Sequence, residues 1–413
     1  GGMTLFSRIS GLIRDIAFAQ FLGSGAIADA FFVAFRIPNF FRRIFGEGAL
    51  SVAFVPVYSE FETQYPERET KAFLDLMAGR LGVVLMVFTI IGVVGAPVFV
   101  QVMAPGFSSD PEKFEATVVM LRWTFPYLFF ISLVALAAGI LNTHNRFAAA
   151  AATPILLNVC LIVTVCFFVP ANIDSSIALG VGVLIAGIIQ FAFQFPFLKR
   201  VSRIPSPKLL AKDKTQARGA EGVKQVMTLM VPAIFGVSIA QINLLINTVL
   251  ASFLVTGSVS WLYYSDRLME FPLGVFGVAL ATVILPSLSR HIAENQEDAY
   301  NETLNWALKL VFLVCLPAAV GLVLLAFPLI VTLFNYGAFS DMDAEMSAKS
   351  LAAFSIGLVG FVAVKVLAPG FYARKNTKTP VMIGAVAMGV NAVVALSLIW
   401  NFDHVGLALA TSI

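Results

Sequence analysis

Charge is scarce in this chain: only 12% of its 413 residues are Asp, Glu, Lys or Arg, where soluble domains carry roughly a quarter. The apolar residues are not dispersed as a soluble core would need. They fall in blocks such as Leu81–Val100, Leu128–Leu141, Ile155–Val169, Ile177–Phe197, Leu310–Leu333 and Leu351–Leu367. The sequence also lacks the dyad alternation, in segments of about ten residues, that a membrane β-barrel requires. There are three cysteines, Cys160, Cys166 and Cys315, all inside apolar blocks and without metal-ligand spacing. The three histidines, His144, His291 and His404, lie far apart in or near loops. No Gly-rich phosphate loop with its lysine is present, which argues against ATP as energy source, and no enzyme signature competes. No signal peptide is visible, and Gly1-Gly2 reads as a cloning remnant ahead of a sequence already in helical pattern.

A bilayer core takes about 20 apolar residues per helix. Charged, Gly, Pro and Asn breaks divide the chain into spans at about 3–22, 26–58, 71–104, 117–142, 151–169, 175–198, 222–255, 258–289, 301–335, 345–371, 378–400 and 405 onward. This predicts eleven complete helices and the start of a twelfth. Loops after even-numbered helices hold fifteen Lys and Arg, eight of them between Lys199 and Lys224, whereas loops after odd-numbered helices hold only Lys113. Basic loops stay in the cytoplasm. The amino terminus is therefore expected there, in a multi-pass membrane protein, and residues 199–221 are expected to form a basic cytoplasmic linker; no nucleic-acid partner is expected.

A weak internal repeat spans the linker. Ala19-Gln20-Phe21-Leu22-Gly23-Ser24-Gly25 aligns with Ala251-Ser252-Phe253-Leu254-Val255-Thr256-Gly257 at an offset of 232, Phe31-Phe32 with Tyr263-Tyr264, and Pro56 approaches Pro286. Six helices separate the copies, and an even number preserves direction across the membrane. The expected fold is an all-α polytopic membrane protein of two parallel six-helix bundles, residues 1–198 and 222–413, around a central cavity. The repeat also predicts that helix twelve runs to about residue 429, so the natural protein is expected to continue beyond Ile413, with its final helices truncated here.

Eleven of the 27 Lys and Arg fall within helical spans. Arg80, Arg122, Lys309, Lys349 and Lys365 lie close enough to helix ends to snorkel. Arg8, Arg14, Arg36, Arg42, Arg43 and Arg267 do not. A charge in the bilayer core costs about 3 to over 10 kcal/mol, so these must face protein or water. Nearby acids are fewer: Asp15, Asp29, Glu47, Asp266 and Glu270. A purely structural reading needs every arginine paired. The functional reading is a cationic cavity, since guanidinium binds phosphate oxygens bidentately and stays charged when desolvated. Pro38-Asn39, Gly46-Glu47-Gly48, Pro272 and Gly274 interrupt the helices that carry Arg42, Arg43 and Arg267, as expected where backbone lines a cavity.

At these residues the chain resembles the MurJ (MviN) lipid II flippases, within the multidrug/oligosaccharidyl-lipid/polysaccharide exporter superfamily. The resemblance rests on Phe6-Ser7-Arg8 through Arg14-Asp15, Asp29-Ala30-Phe31-Phe32-Val33-Ala34-Phe35, Pro38-Asn39-Phe40-Phe41-Arg42-Arg43-Ile44-Phe45, Ser258 through Pro272, and Leu367-Ala368-Pro369-Gly370-Phe371-Tyr372-Ala373-Arg374. It implies a transporter, not an enzyme, that moves the undecaprenyl-diphosphate peptidoglycan precursor between leaflets by alternating access. It also implies substrate-binding roles for Arg8, Arg14, Asp29, Arg42, Ser260, Arg267 and Glu270, and a gate at Glu47 and Lys349, the latter standing where the family has arginine. Lipid II and membrane lipids are the partners implied. No cofactor is expected; the membrane potential or an ion gradient would supply the energy. The rival readings are a flippase for another polyprenyl-diphosphate glycan and a cation-coupled drug exporter of the same superfamily.

Overall fold

The structure, a computed structural model, describes the chain except Gly1, Asn172, Ile173 and Lys212; the side chains of Thr4, Glu47, Lys214, Thr215 and several residues within 235–240 and 275–282 also lie outside the described residues. No strand occurs among the described residues. The helices are α1 (Gly2–Leu22), α2 (Ala26–Phe41), α3 (Ser51–Gln64), α4 (Glu67–Val94), α5 (Ala96–Met103), α6 (Pro111–Thr124), α7 (Tyr127–Thr143), α8 (Phe147–Val163), α9 (Ser175–Arg200), α10 (Lys214–Ser252), α11 (Ser258–Pro272), α12 (Val278–Ala293), α13 (Glu297–Leu324), α14 (Ala326–Phe334), α15 (Asp341–Ile356), α16 (Leu358–Ala373) and α17 (Lys378–Ser412). Wider π-helical turns join α2 to α3 over Arg42–Leu50, follow α8 over Thr164–Phe168, and join α11 to α12 over Leu273–Gly277.

Among the described residues, six helices or joined helices are long and apolar enough to cross a bilayer, and the pair α15–α16, bent by 41°, makes a seventh if it is counted as one span. This is a polytopic membrane protein. The expected spans that fail the length and apolarity test include those with the intramembrane arginines: α1 carries Arg8, Arg14 and Asp15, and the second and eighth expected spans are broken by π-turns. The eleventh and twelfth expected helices lie on either side of a break inside α17 at Asp403, whose φ of 48° and ψ of −132° are not helical. The linker is also shorter than the sequence implies, since α10 already begins at Lys214.

The chain divides into two compact units: residues 1–21 with 30–242, and residues 22–29 with 243–413. The loop between α1 and α2 thus belongs to the second unit, and the division falls inside α10 rather than in the linker. Element order repeats between the halves. Helices α4 and α13 both have 28 residues and both stop one residue before a short helix, α5 or α14. The π-turns at Arg42 and Leu273 begin within one residue of the 232-residue offset.

Lipid is as apolar as leucine, so helices inside a bilayer associate through close packing and internal hydrogen bonds rather than through hydrophobicity. In the first unit aromatic rings do this. Phe54, Tyr58, Phe61 and Phe73 stack at centroid distances of 5.3 Å, 5.8 Å and 4.6 Å along the series Tyr58–Phe54, Phe54–Phe73 and Phe73–Phe61. A second group places Phe41 against Phe88, Phe99 and Phe125. Gly92 lets the Phe125 ring lie directly on α4, where any Cβ would collide with it. In the second unit Tyr264, fully buried, packs on Phe334 and Phe339 and donates its hydroxyl to the Gly23 carbonyl at 3.0 Å.

Candidate functional site

Arg14 is 7% exposed on α1. Its Nε and Nη2 donate to Asp15 Oδ1 at 3.0 Å and 2.6 Å, its Nη1 donates to Asn158 Oδ1 on α8 at 2.9 Å, and its guanidinium lies over the Phe18 ring. Adjacent residues point to different sides of a helix, yet the long arginine stem folds back far enough to pair with its neighbour. Asn158 in turn donates to Ser10 Oγ at 2.8 Å. Arg8 is half-buried, one and a half turns earlier on the same helix.

Arg42 stands at the first π-turn, and the chain around it shows how the break is satisfied. Pro38 has no N–H to give to the Ala34 carbonyl four residues back. The buried Thr124 hydroxyl of α6 supplies a donor instead, at 3.4 Å. Asn39 donates to the Phe35 carbonyl and accepts from Arg42 Nε, both at 3.0 Å, which fixes the start of the arginine side chain. Arg42 and Gly46 then line a cavity of about 430 Å³ inside the first unit. Its walls include Tyr127, Asn142, Thr153 and Gln190. Gln190 is 1% exposed and donates its amide to the Thr153 carbonyl at 2.8 Å, while its Oε1 and the Asn142 Oδ1 are buried acceptors without a donor among the described residues. The cavity therefore presents the Arg42 cation, while the two amide oxygens are shielded from it. Sequence reading did not pick out Gln190 or Asn142; each is a single amide in an apolar block, and nothing in the spacing marks it.

The second unit holds the other residues expected at the site. Asp29 is fully buried: Oδ2 accepts from Gly257 N at 2.8 Å, and Oδ1 accepts from Ser260 N and Ser260 Oγ at 2.9 Å and 2.6 Å. Gly257, at φ 102°, is the residue before α11 and carries no side chain to cap it. Asp29 does so from a distant part of the chain, satisfying first-turn N–H groups and opposing the positive end of the helix dipole. Arg267, three turns along α11, pairs with Glu270 at 2.8 Å and lies over the Tyr263 ring at 4.9 Å. Both members of that pair are over a third exposed. Lys349 is exposed and paired with Glu345 at 2.7 Å. The expected gate partner Glu47 has its backbone in the Arg42–Leu50 π-turn, but its side chain lies outside the described residues.

Residues 18–413 match the family model described as "Lipid II flippase MurJ". The chain belongs to the MurJ family. It is 45% identical to the "Probable lipid II flippase MurJ" of Vibrio cholerae, over 99% of this chain and 78% of that protein. It is 44% identical to the "Lipid II flippase MurJ" of Burkholderia cenocepacia, over 100% of this chain and 79% of that protein. Among solved structures, "Lipid II flippase MurJ, inward closed conformation" aligns with a TM-score of 0.84 at 30% identity, over 99% of this chain and 83% of that one. An "inward-facing conformation of a multidrug resistance MATE family transporter of the MOP superfamily" aligns with a TM-score of 0.80 at 14% identity, over 98% and 90%; at that identity the likeness shows the fold alone.

Within the MurJ fold, two further clusters escaped the sequence reading. At the end of α3, Glu62 receives Arg203 Nη2 at 2.7 Å, and the other arm of Arg203 reaches Glu67 at 2.7 Å. Burial alone would raise the Glu62 carboxyl, but hydrogen bonds from Arg203 and Tyr58 outweigh it and hold the group below the ordinary glutamate range. In the second unit, Trp261 Nε1 donates to Asp343 Oδ1 at 2.9 Å, and Asp343 completes a capping box with Ser340 at the start of α15. Both clusters join residues more than 80 positions apart, and no local pattern announces them.

Proposed function

We propose that this chain is a lipid II flippase, carrying the undecaprenyl-diphosphate-linked peptidoglycan precursor from the cytoplasmic to the periplasmic leaflet of the inner membrane by alternating access. Its family membership carries the reading, and the arginines support it chemically. Arg8, Arg14, Arg42 and Arg267 are the groups suited to a diphosphate, with Arg42 presented to the cavity of the first unit. The polyprenyl tail stays in lipid. Asp29 and Ser260 act in this reading through α11, which they cap and which carries Arg267. Glu47 and Lys349 would form the periplasmic gate, with the amino terminus in the cytoplasm.

Without substrate, Arg14 and Arg267 are neutralised by Asp15 and Glu270. A carrier whose arginines are held by its own acids can return empty without dragging an anion back. An interior negative by 100 mV then favours outward movement by about 2.3 kcal/mol per charge crossing the full field, so the potential can drive the cycle with no bound cofactor.

The test is lipid II binding by native mass spectrometry in wild type, Arg42→Ala and Arg267→Ala, with a neutral polyprenol as control. A charge-assisted hydrogen bond contributes about 1.5–3 kcal/mol, so each variant should bind about tenfold to a hundredfold more weakly. Equal binding by the variants, or by the neutral lipid, would remove the diphosphate clamp.

A further inference from the structure

The segment between α9 and α10 is strapped along α4 in a definite register. Arg203 sits at Glu67, the first residue of α4. Farther on, Ser206 N donates to Asp75 Oδ1 at 2.7 Å, Lys208 N donates to the Asp75 carbonyl at 2.9 Å, and Lys208 Nζ pairs with Asp75 Oδ2 at 3.1 Å. Lys71 Nζ also pairs with Asp75, which is 2% exposed. The Lys208 backbone lies flat on Gly79, where any Cβ would strike its carbonyl. The Leu209 carbonyl then accepts from Arg80 Nε at 3.3 Å.

This register has a direction. Between Glu67 and Arg80 the helix advances about 20 Å at 1.5 Å per residue, from its charged start to the residue just before the apolar run Leu81–Val100. The strap follows it and delivers Leu209 and Leu210 to that depth. There the two leucines are 54% and 73% exposed, although the local sequence Pro205-Ser206-Pro207-Lys208-Leu209-Leu210 is otherwise polar or turn-forming. Two adjacent exposed leucines, held where a spanning helix changes from charged to apolar, match the headgroup–acyl boundary of the bilayer.

We infer that Leu209 and Leu210 are a membrane-interface anchor, inserted into the leaflet that the loop charges assign to the cytoplasm. Burial of leucine drives the insertion, so it holds without anionic headgroups, although Lys71 and Lys208 share the one carboxylate of Asp75 and leave positive charge beside it. The linker is then not a free tether: it is fixed to the first unit by Asp75 and to the bilayer by two side chains.

The experiment places a nitroxide at Leu210→Cys, in full-length protein whose Cys160, Cys166 and Cys315 are serine, reconstituted in nanodiscs. Collision with oxygen, which concentrates in lipid, should exceed collision with a water-soluble nickel chelate. The order should be the same in zwitterionic and anionic lipid and in 0.5 M salt. A nitroxide at Glu221→Cys, exposed on α10, should show the opposite order. Asp75→Asn, which loosens the strap, should reduce the oxygen preference at position 210. Chelate exceeding oxygen at position 210 would overturn the anchor, and loss of the oxygen preference in salt would replace leucine insertion with electrostatic adsorption. An Asp75→Asn variant with unchanged collision rates would show that the strap does not set the depth.

Discussion

Asp29 separates a substrate ligand from a structural cap, and replacing it decides between them. Its carboxylate is fully buried, and both oxygens are already occupied by donors from Gly257 and Ser260. Asp29→Ala leaves two first-turn N–H groups of α11 buried without acceptors, at about 1–3 kcal/mol each, and removes charge-assisted bonds, so the expected cost is about 3–5 kcal/mol. Asp29→Asn keeps one oxygen, which can serve Ser260, but turns an amide N–H toward Gly257 N; the cost should be about 2 kcal/mol. For a folding unit of this size each kcal/mol moves the midpoint by about 2–4 °C. Thermal unfolding in detergent should therefore fall by roughly 6–20 °C for alanine and 4–8 °C for asparagine. Lipid II affinity of Asp29→Asn, measured well below its midpoint, should stay within about twofold of wild type, a difference of under half a kcal/mol. An alanine variant melting within about 2 °C of wild type would refute the cap, since less than 1 kcal/mol would then be at stake. Lost affinity at unchanged stability would restore Asp29 as a ligand.

Asp15→Ala strands the buried Arg14 guanidinium, and breaking one side of such a pair costs about 3–5 kcal/mol; thermal unfolding should show it, with Asn158 too weak an acceptor to compensate. Gln190→Leu removes an acceptor with no donor among the described residues but also the amide bond to the Thr153 carbonyl, so the two effects oppose and stability should change by no more than about 1 kcal/mol, which thermal unfolding checks. Glu62 has a depressed folded-state value, so its contribution is fully present above its ordinary value of 4.5 and is lost as pH falls through the depressed one. The melting difference between wild type and Glu62→Gln should be flat from pH 7 to about 5 and shrink below that; a difference that grows on acidification would contradict the Arg203 pairing. Glu270→Gln removes an exposed pair worth about 0–1 kcal/mol that would compete with an anion for Arg267, so lipid II affinity should rise by up to about fivefold in a direct binding assay.

The spanning pattern was legible because the bilayer enforces it. Apolar length, breaks and loop charge placed most helices within a few residues, and the π-turns fall where Gly46-Glu47-Gly48 and Pro272–Gly274 predicted an interruption. The breaks' repair was not legible. That Thr124 would supply the donor Pro38 lacks depends on α6 lying beside α2, a relation that no periodicity encodes. The same holds for Asp75, which reads as one acid among many at the start of α4 and proves to be the residue on which the linker is built. Lys113 stood in the sequence as a lone loop cation; it is buried and sits over the Phe107 ring at 4.2 Å. Charge sets which side of the membrane a loop occupies, but packing decides whether the charge stays in water.

The arginines carry the same lesson into function. Counting cations against acids in the sequence left an excess, and the excess pointed to an anion. The structure adds that the pairs differ in kind. Arg14 is sealed with Asp15 and Asn158 and is 7% exposed, so displacing its partner would mean reopening a buried network. Arg267 and Glu270 are three residues apart on one helix and over a third exposed, so their pair can open at little cost. If an anion is to enter and leave once per cycle, the exchangeable pair is the better place for it to be handed over, whereas the sealed and neutralised Arg14–Asp15 pair is better suited to holding α1 against α8.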